Sequence, residues 1–220
     1  MSPCFRALAA ILLLCAGTCA AAEDAWQLRH DDHGVKVYTR SVPGSRFEAV
    51  KATMVITARL AAAIALVRDT AACSEWESLC DHATGIKRVS THEVYVYQVN
   101  NLPWPVSDRD VVAHVLWARD TATGGVTMTA TAVPGMVAPR PGMVRVNDAV
   151  TRWLFQPLDH GRLRITTEAH IDPGGPMPAW IINMLLVKSP VTSMANLRRI
   201  VATGRYDDAN LDFLGPANRE

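Results

Sequence analysis

The sequence predicts an α+β domain in which an antiparallel sheet packs against one long C-terminal helix. Three observations predict it. From Val35 to Ile171 the chain is a succession of short segments with alternating apolar and polar residues, separated by turns that contain Gly, Pro or Asp. At Asp172-Pro173-Gly174-Gly175-Pro176 this period-two pattern stops, and from about Pro178 to Ala202 apolar residues recur at helical spacing. The alternation also has a dry side: Leu163, Ile165, Thr167, Ala169 and Ile171 share one face, while Arg162, Arg164, Thr166, Glu168 and His170 share the other. A sheet that is wet on one face and dry on the other needs a helical layer over the dry one.

Taken in order, residues 1–22 read as a cleaved export signal. Arg6 is the basic start, Ala7 to Cys15 the apolar run and Ala20-Ala21-Ala22 the small-residue cleavage site. The run is shorter than the ~20 residues that cross a bilayer. A lipoprotein signal fits less well, because neither Leu14 before Cys15 nor Ala16-Gly17-Thr18 before Cys19 gives the usual pattern. An exported protein, periplasmic or secreted, is therefore expected. Residues 23–215 carry no repeat or linker and are expected to form a single domain with its own core.

Glu23 to Asp31, with Trp26, reads as a short helix ended by a turn at Asp31-Asp32-His33-Gly34. Strands follow at Val35–Arg40 and Phe47–Ile56, around a turn at Pro43-Gly44-Ser45. Thr57 is placed to cap a helix over Arg59–Asp69, which is rich in Ala and Leu. Gly85–Ser90 and Glu93–Asn100 are the next strands, and then Leu102-Pro103-Trp104-Pro105 forces a corner, since two prolines exclude both helix and central strand. The remaining strands are Asp110–Ala118, Gly125–Ala132, Val144–Phe155 and Arg162–Ile171.

Charge and cysteine content narrow the function. The chain has 22 basic and 21 acidic residues; loss of Arg6 with the leader leaves them equal in number. A balanced chain lacks the basic excess that phosphate backbones require, so nucleic acid is not an expected partner. Cys73 and Cys80 remain after cleavage, seven positions apart around Trp76. A disulfide suits an oxidising compartment, and two packed free thiols are the alternative. None of the seven histidines stands in a metal-binding spacing, no Gly-x-Ser-x-Gly elbow is present, and Gly174-Gly175 reads as a turn rather than a phosphate cradle. No metal or cofactor is expected.

The inward positions are often small: Ala113, Ala130, Ala132, Thr167 and Ala169. Small side chains under a long helix leave either a cavity or a space filled by Trp153, Trp180 and Met184, and alternation alone fits both. Three blocks bear on this choice: the Pro-Trp-Pro corner with Arg109-Asp110, Thr91-His92-Glu93, and Pro178-Ala179-Trp180-Ile181-Ile182-Asn183 through Ala195-Asn196-Leu197-Arg198-Arg199. Together they resemble the START lipid-transfer family over about Val35 to Ile200. The resemblance implies a helix-grip fold, a curved antiparallel sheet wrapped around the C-terminal helix, with an interior tunnel that carries one lipid without altering it. Lipid or another hydrophobic small molecule is then the partner, on a monomer that touches membranes transiently. Cyclases and hydrolases occur in the wider superfamily, so an enzyme using the same cavity is the alternative. In the steroidogenic branch a buried carboxylate faces an arginine; Glu93 falls at the carboxylate position, but Val115 stands where the arginine would be.

The expected tunnel residues are Glu93, Tyr95, Tyr97, Val111, Ala113, Val115, Met128, Ala130, Trp153, Thr167 and Ala169 from the sheet. The helix adds the stripe Asn183, Val187, Val191 and Met194. Asn183 would meet a lipid head or bond neighbouring backbone. Pro190 inside the helix predicts a weak turn over Leu186–Pro190, either a gate or a bend that follows the sheet.

Overall fold

A computed structural model describes residues 25–215, apart from the side chain of Ala179; the export signal expected over residues 1–22 lies outside the described residues. The strands are β1 (Gln27–Asp32), β2 (Val35–Arg40), β3 (Ala49–Thr57), β4 (Cys80–Arg88), β5 (Glu93–Asn100), β6 (Asp108–Arg119), β7 (Val126–Ala132), β8 (Met143–Arg145), β9 (Asp148–Pro157) and β10 (Arg162–Asp172). They form one sheet in the order β1-β2-β3-β10-β9-β7-β6-β5-β4, and β8 pairs in parallel with β6. All the other pairings are antiparallel.

Helix α1 (Leu60–Arg68) covers the sheet at one end. A 3₁₀ turn (Thr70–Ala72) leads from it into the short α2 (Cys73–Trp76). The long C-terminal helix begins with α3 (Ala179–Asn183) and continues through a π turn (Met184–Lys188) into α4 (Ser189–Val201). The main core lies where α1 and α4 meet β2, β3, β9 and β10, around Val35, Met54, Ile64, Phe155, Ile165 and Leu197. A smaller core of Tyr97, Val99 and Val112 sits on the opposite face of β5 and β6, beneath Val133, Val137 and Met143.

Several expectations are corrected. The segment before Asp31 is strand β1, not a helix. His33 and Gly34 both have positive φ, at 49° and 76°, which is the signature of a two-residue hairpin turn returning β1 antiparallel on β2. Pairing along the edge of β2 outweighs local helix propensity there. Thr57 ends β3 opposite Arg162, and the cap position of α1 is Arg59, without a side-chain capping bond. The expected strand Val144–Phe155 breaks after Arg145, because β8 stays with β6 while β9 crosses to lie between β7 and β10. Strand β4 begins earlier than expected, at Cys80, which is disulfide-bonded to Cys73.

The π turn has a visible cause. Proline at position 190 has no N–H, and its ring would crowd the Leu186 carbonyl in a regular helix. The chain admits one extra residue instead, and the Ser189 N–H reaches back to the Met184 carbonyl.

Candidate ligand cavity

Between the concave face of the sheet and the C-terminal helix lies a cavity of about 480 Å³. That is within the ~300–1,000 Å³ typical of small-molecule sites. Its floor is sheet: Val111, Ala113 and Val115 from β6, Met128, Ala130 and Ala132 from β7, Trp153 from β9, and Thr167 and Ala169 from β10. The small residues at 113, 130, 132, 167 and 169 thus leave the space open. Trp153 closes one side, with Trp76 packed edge-on against it at 5.6 Å between ring centroids. The roof is Ile182, Leu185, Leu186, Ser189, Pro190, Ser193 and Met194.

Two groups of expected lining residues stand elsewhere. On β5, Val94, Val96, Gln98 and Asn100 face the cavity, and Tyr95 and Tyr97 do not. The register decides this: Val94, Val96 and Gln98 lie opposite Val115, Ala113 and Val111, and directly opposed residues share a face. Tyr95 stacks on His114 at 4.6 Å on the other side, and Tyr97 is buried in the smaller core. On the helix, Met194 faces the cavity, but Asn183, Val187 and Val191 do not line it. Asn183 is exposed and Val191 packs on the main core. The extra residue of the π turn rotates the preceding half by about a quarter turn, so the inward stripe becomes Ile182, Leu185 and Leu186.

Glu93 stands at the rim, where its carboxylate pairs with Nε2 of His114 at 2.8 Å. The carboxylate committed to the interior is Glu77. Burial in the cavity wall pushes its pKa up, and a hydrogen bond from Gln98 partly opposes the rise. Gln98 also donates from Nε2 to Oδ1 of Asn100 at 2.9 Å. Glu77, Gln98 and Asn100 therefore form a connected polar group in an otherwise largely apolar space.

Glu77 is held by its loop. The Cys73–Cys80 disulfide closes the segment around it, and the segment is tied to the C-terminal helix. The Ser78 N–H donates to Oγ of Ser193 at 3.0 Å, Oγ of Ser78 donates to Oγ of Ser189 at 3.2 Å, and Asn196 reaches the Trp76 carbonyl at 3.5 Å. All of these bonds fall on the half of the helix that follows the π turn.

At the cavity's other rim, Arg109 and Asp110 act on opposite faces of β6. Arg109 is 3% exposed and donates to the carbonyls of Pro173, Gly174 and Ser107. It thereby joins the Pro-Trp-Pro corner to the loop that leads into the helix. Gly174 and Gly175 in that loop have φ of 66° and 64°, where a side chain is strained, and a Cβ on Gly174 would lie 3.1 Å from Val144. Asp110, 1% exposed, accepts two hydrogen bonds from Arg145 at 2.8 Å and one from the Tyr97 hydroxyl at 2.9 Å. The Arg145 guanidinium holds the Asp110 carboxyl below its ordinary range. The corner itself projects outward: Trp104 is 89% exposed, and Trp180 at the start of the helix is 52% exposed.

Comparison with known proteins decides the family, since the START domain matches residues 14–206. The chain belongs to the START family. An uncharacterised protein of Pseudomonas aeruginosa is 35% identical over 191 residues, which is 87% of this chain and 93% of that protein. A STAR-related lipid transfer protein of Xanthomonas axonopodis superposes with a TM-score of 0.74 at 31% identity, over 81% of this chain and 99% of that one. Human STARD10 shares the fold, with a TM-score of 0.72 at 22% identity over 88% of this chain and 81% of its own.

In this START domain Glu77 in the α2–β4 loop, four positions after Cys73, also lines the cavity, while Glu93 at the head of β5 lines it at the rim. No periodicity marks Glu77. The available signal was a pair of acids, Glu75 and Glu77, flanking Trp76 inside a segment bounded by two cysteines, and the sequence does not say which of the two turns inward.

Proposed function

We propose that this protein binds one amphipathic lipid in the cavity, leaves it chemically unchanged, and carries it between membranes across an aqueous compartment outside the cytoplasm. The observation that carries the reading is a largely apolar space of about 480 Å³ with a connected polar group, Glu77, Gln98 and Asn100, in its wall. Such a space takes an apolar body and fixes its orientation through a few polar contacts. Glu77, with its pKa raised, favours the protonated form that donates a hydrogen bond to a hydroxyl, carbonyl or ester oxygen. The printed name of the Xanthomonas relative, a lipid transfer protein, supports the same reading.

Access is assigned to the end where Trp104 and Trp180 are exposed. Amphipathic aromatic side chains partition into the headgroup region of a bilayer, and the half-helix 179–188 beside them is bounded by the π turn. Native mass spectrometry of the purified protein, followed by lipid extraction, tests the function. A stoichiometric, intact lipid is the expected result. Conversion of that lipid on incubation would make the protein an enzyme of the same fold, and a protein that neither carries nor takes up lipid would refute carriage.

A further inference from the structure

We propose that the end of the cavity formed by Arg68 and Arg88 is a subsite for an anionic group, a carboxylate or a phosphate, borne by the bound amphiphile. The proposal rests on the lipid-binding reading and adds the chemistry of one end of the ligand. Arg68 is the last residue of α1 and Arg88 the last of β4, and both line the cavity beside Ser90 and Thr91. This end lies at the head of β5, near Val94. The Glu77 group lies at its tail, near Gln98 and Asn100, roughly 14–20 Å farther along by the ~3.4 Å rise per strand residue.

The two arginines share a space in which no acid pairs with them. Among the described residues neither forms an ion pair. The two carboxylates at this end are engaged elsewhere. Asp69 accepts from the Ala71 N–H and from the Tyr206 hydroxyl, at 3.1 and 2.8 Å, and Glu93 is paired with His114. Arg68 donates from Nη2 to the Thr91 carbonyl at 2.8 Å and lies over the rings of Trp117 and Phe213, at 5.4 and 5.0 Å. Its Nη1 is buried with no acceptor.

Leaving a buried guanidinium nitrogen unpaired is costly, and placing a second arginine beside it adds repulsion. Burial first, and Arg88 second, disfavour the Arg68 charge. An anion between the two guanidiniums removes both penalties at once, and the planar guanidinium fork matches carboxylate and phosphate oxygens. The unmatched group at this end is thus a donor, which calls for an acceptor on the ligand.

The experiment compares three amphiphiles with one apolar chain: dodecanoate, dodecyl phosphate and 1-dodecanol. Each is titrated into the lipid-stripped protein and followed by tryptophan fluorescence, because Trp76, Trp117 and Trp153 all line the cavity. A hydrogen-bonded charge pair predicts that the two anions bind about tenfold or more tighter than the alcohol. Arg88→Gln, at an exposed strand end where the fold does not depend on it, reduces that ratio toward one. Arg68→Lys retains the charge but loses the fork, and reduces it in part. Equal affinity for all three amphiphiles refutes the anionic subsite and leaves lipid binding intact. Failure of all three to bind refutes both. Saturable binding of inorganic phosphate alone, at the affinity of dodecyl phosphate, assigns the site to a free anion and overturns the amphiphile-borne form.

Discussion

Glu77 shows how one side chain ties stability to pH in this cavity. Its folded pKa is raised above the ordinary value of 4.5 by burial. A raised carboxyl contributes stability that is fully present below the unfolded pKa and is lost as pH rises through the folded pKa. The melting temperature of the lipid-free protein is therefore expected to fall as pH is raised above about 4.5. The slope from this one proton is at most about 1.4 kcal/mol per pH unit. Glu77→Gln keeps the shape and a hydrogen-bonding partner for Gln98, and should flatten that part of the profile. Parallel thermal melts across the pH range check this, and an unchanged slope in the variant would show that Glu77 does not titrate in that window.

At the scale of elements, the C-terminal helix is two half-helices joined by a turn that Pro190 imposes. The second half is clasped to the disulfide loop through Ser189, Ser193 and Asn196. The first half lacks those bonds, and Ile181 is its buried anchor. Replacing Pro190 with Ala restores a backbone donor and removes the ring clash, so the helix can close its regular ladder. Hydrogen exchange of the amides in Met184–Lys188 should slow several-fold, and lipid exchange with vesicles should slow with it. Faster or unaltered amide exchange would show that another feature sets the π turn. The sequence located this weakness through Pro190, yet the lining stripe drawn through Asn183, Val187 and Val191 missed by about one residue. A 3.6-residue period cannot anticipate an inserted one. Strand β5 was opaque for a different reason: Val94, Val96, Tyr95 and Tyr97 are apolar on both faces, because one face meets the cavity and the other starts a second core.

For the whole molecule, the small residues spread over β6, β7 and β10 determine whether the interior is a core or a container. Those positions were legible from alternation, as were most strands; the second core on the outer face of β5 and β6 was not. Whether the space was filled was not legible, because it depends on how far the sheet curves away from the helix. Substituting Ala113 or Ala169 with Trp places an indole in open space, so neither should incur the ~1–3 kcal/mol of ordinary overpacking. Both variants should fold with native circular dichroism and lose lipid uptake. Unaltered uptake by both would place the ligand elsewhere.

Strand β4 is a wall of the cavity and also the last strand of the sheet, so among the described residues one side of its backbone has no neighbouring strand. An open edge is a template on which another chain can add a strand and begin to aggregate. Here the edge is spoiled twice. Its register with β5 shifts between Cys80 and His82 and again between Gly85 and Lys87, and Asp81, Lys87 and Arg88 put charge along its exposed length. Irregularities that look like defects in pairing thus protect the protein from its own copies at high concentration. They do so on the strand whose last residue, Arg88, stands at one end of the cavity.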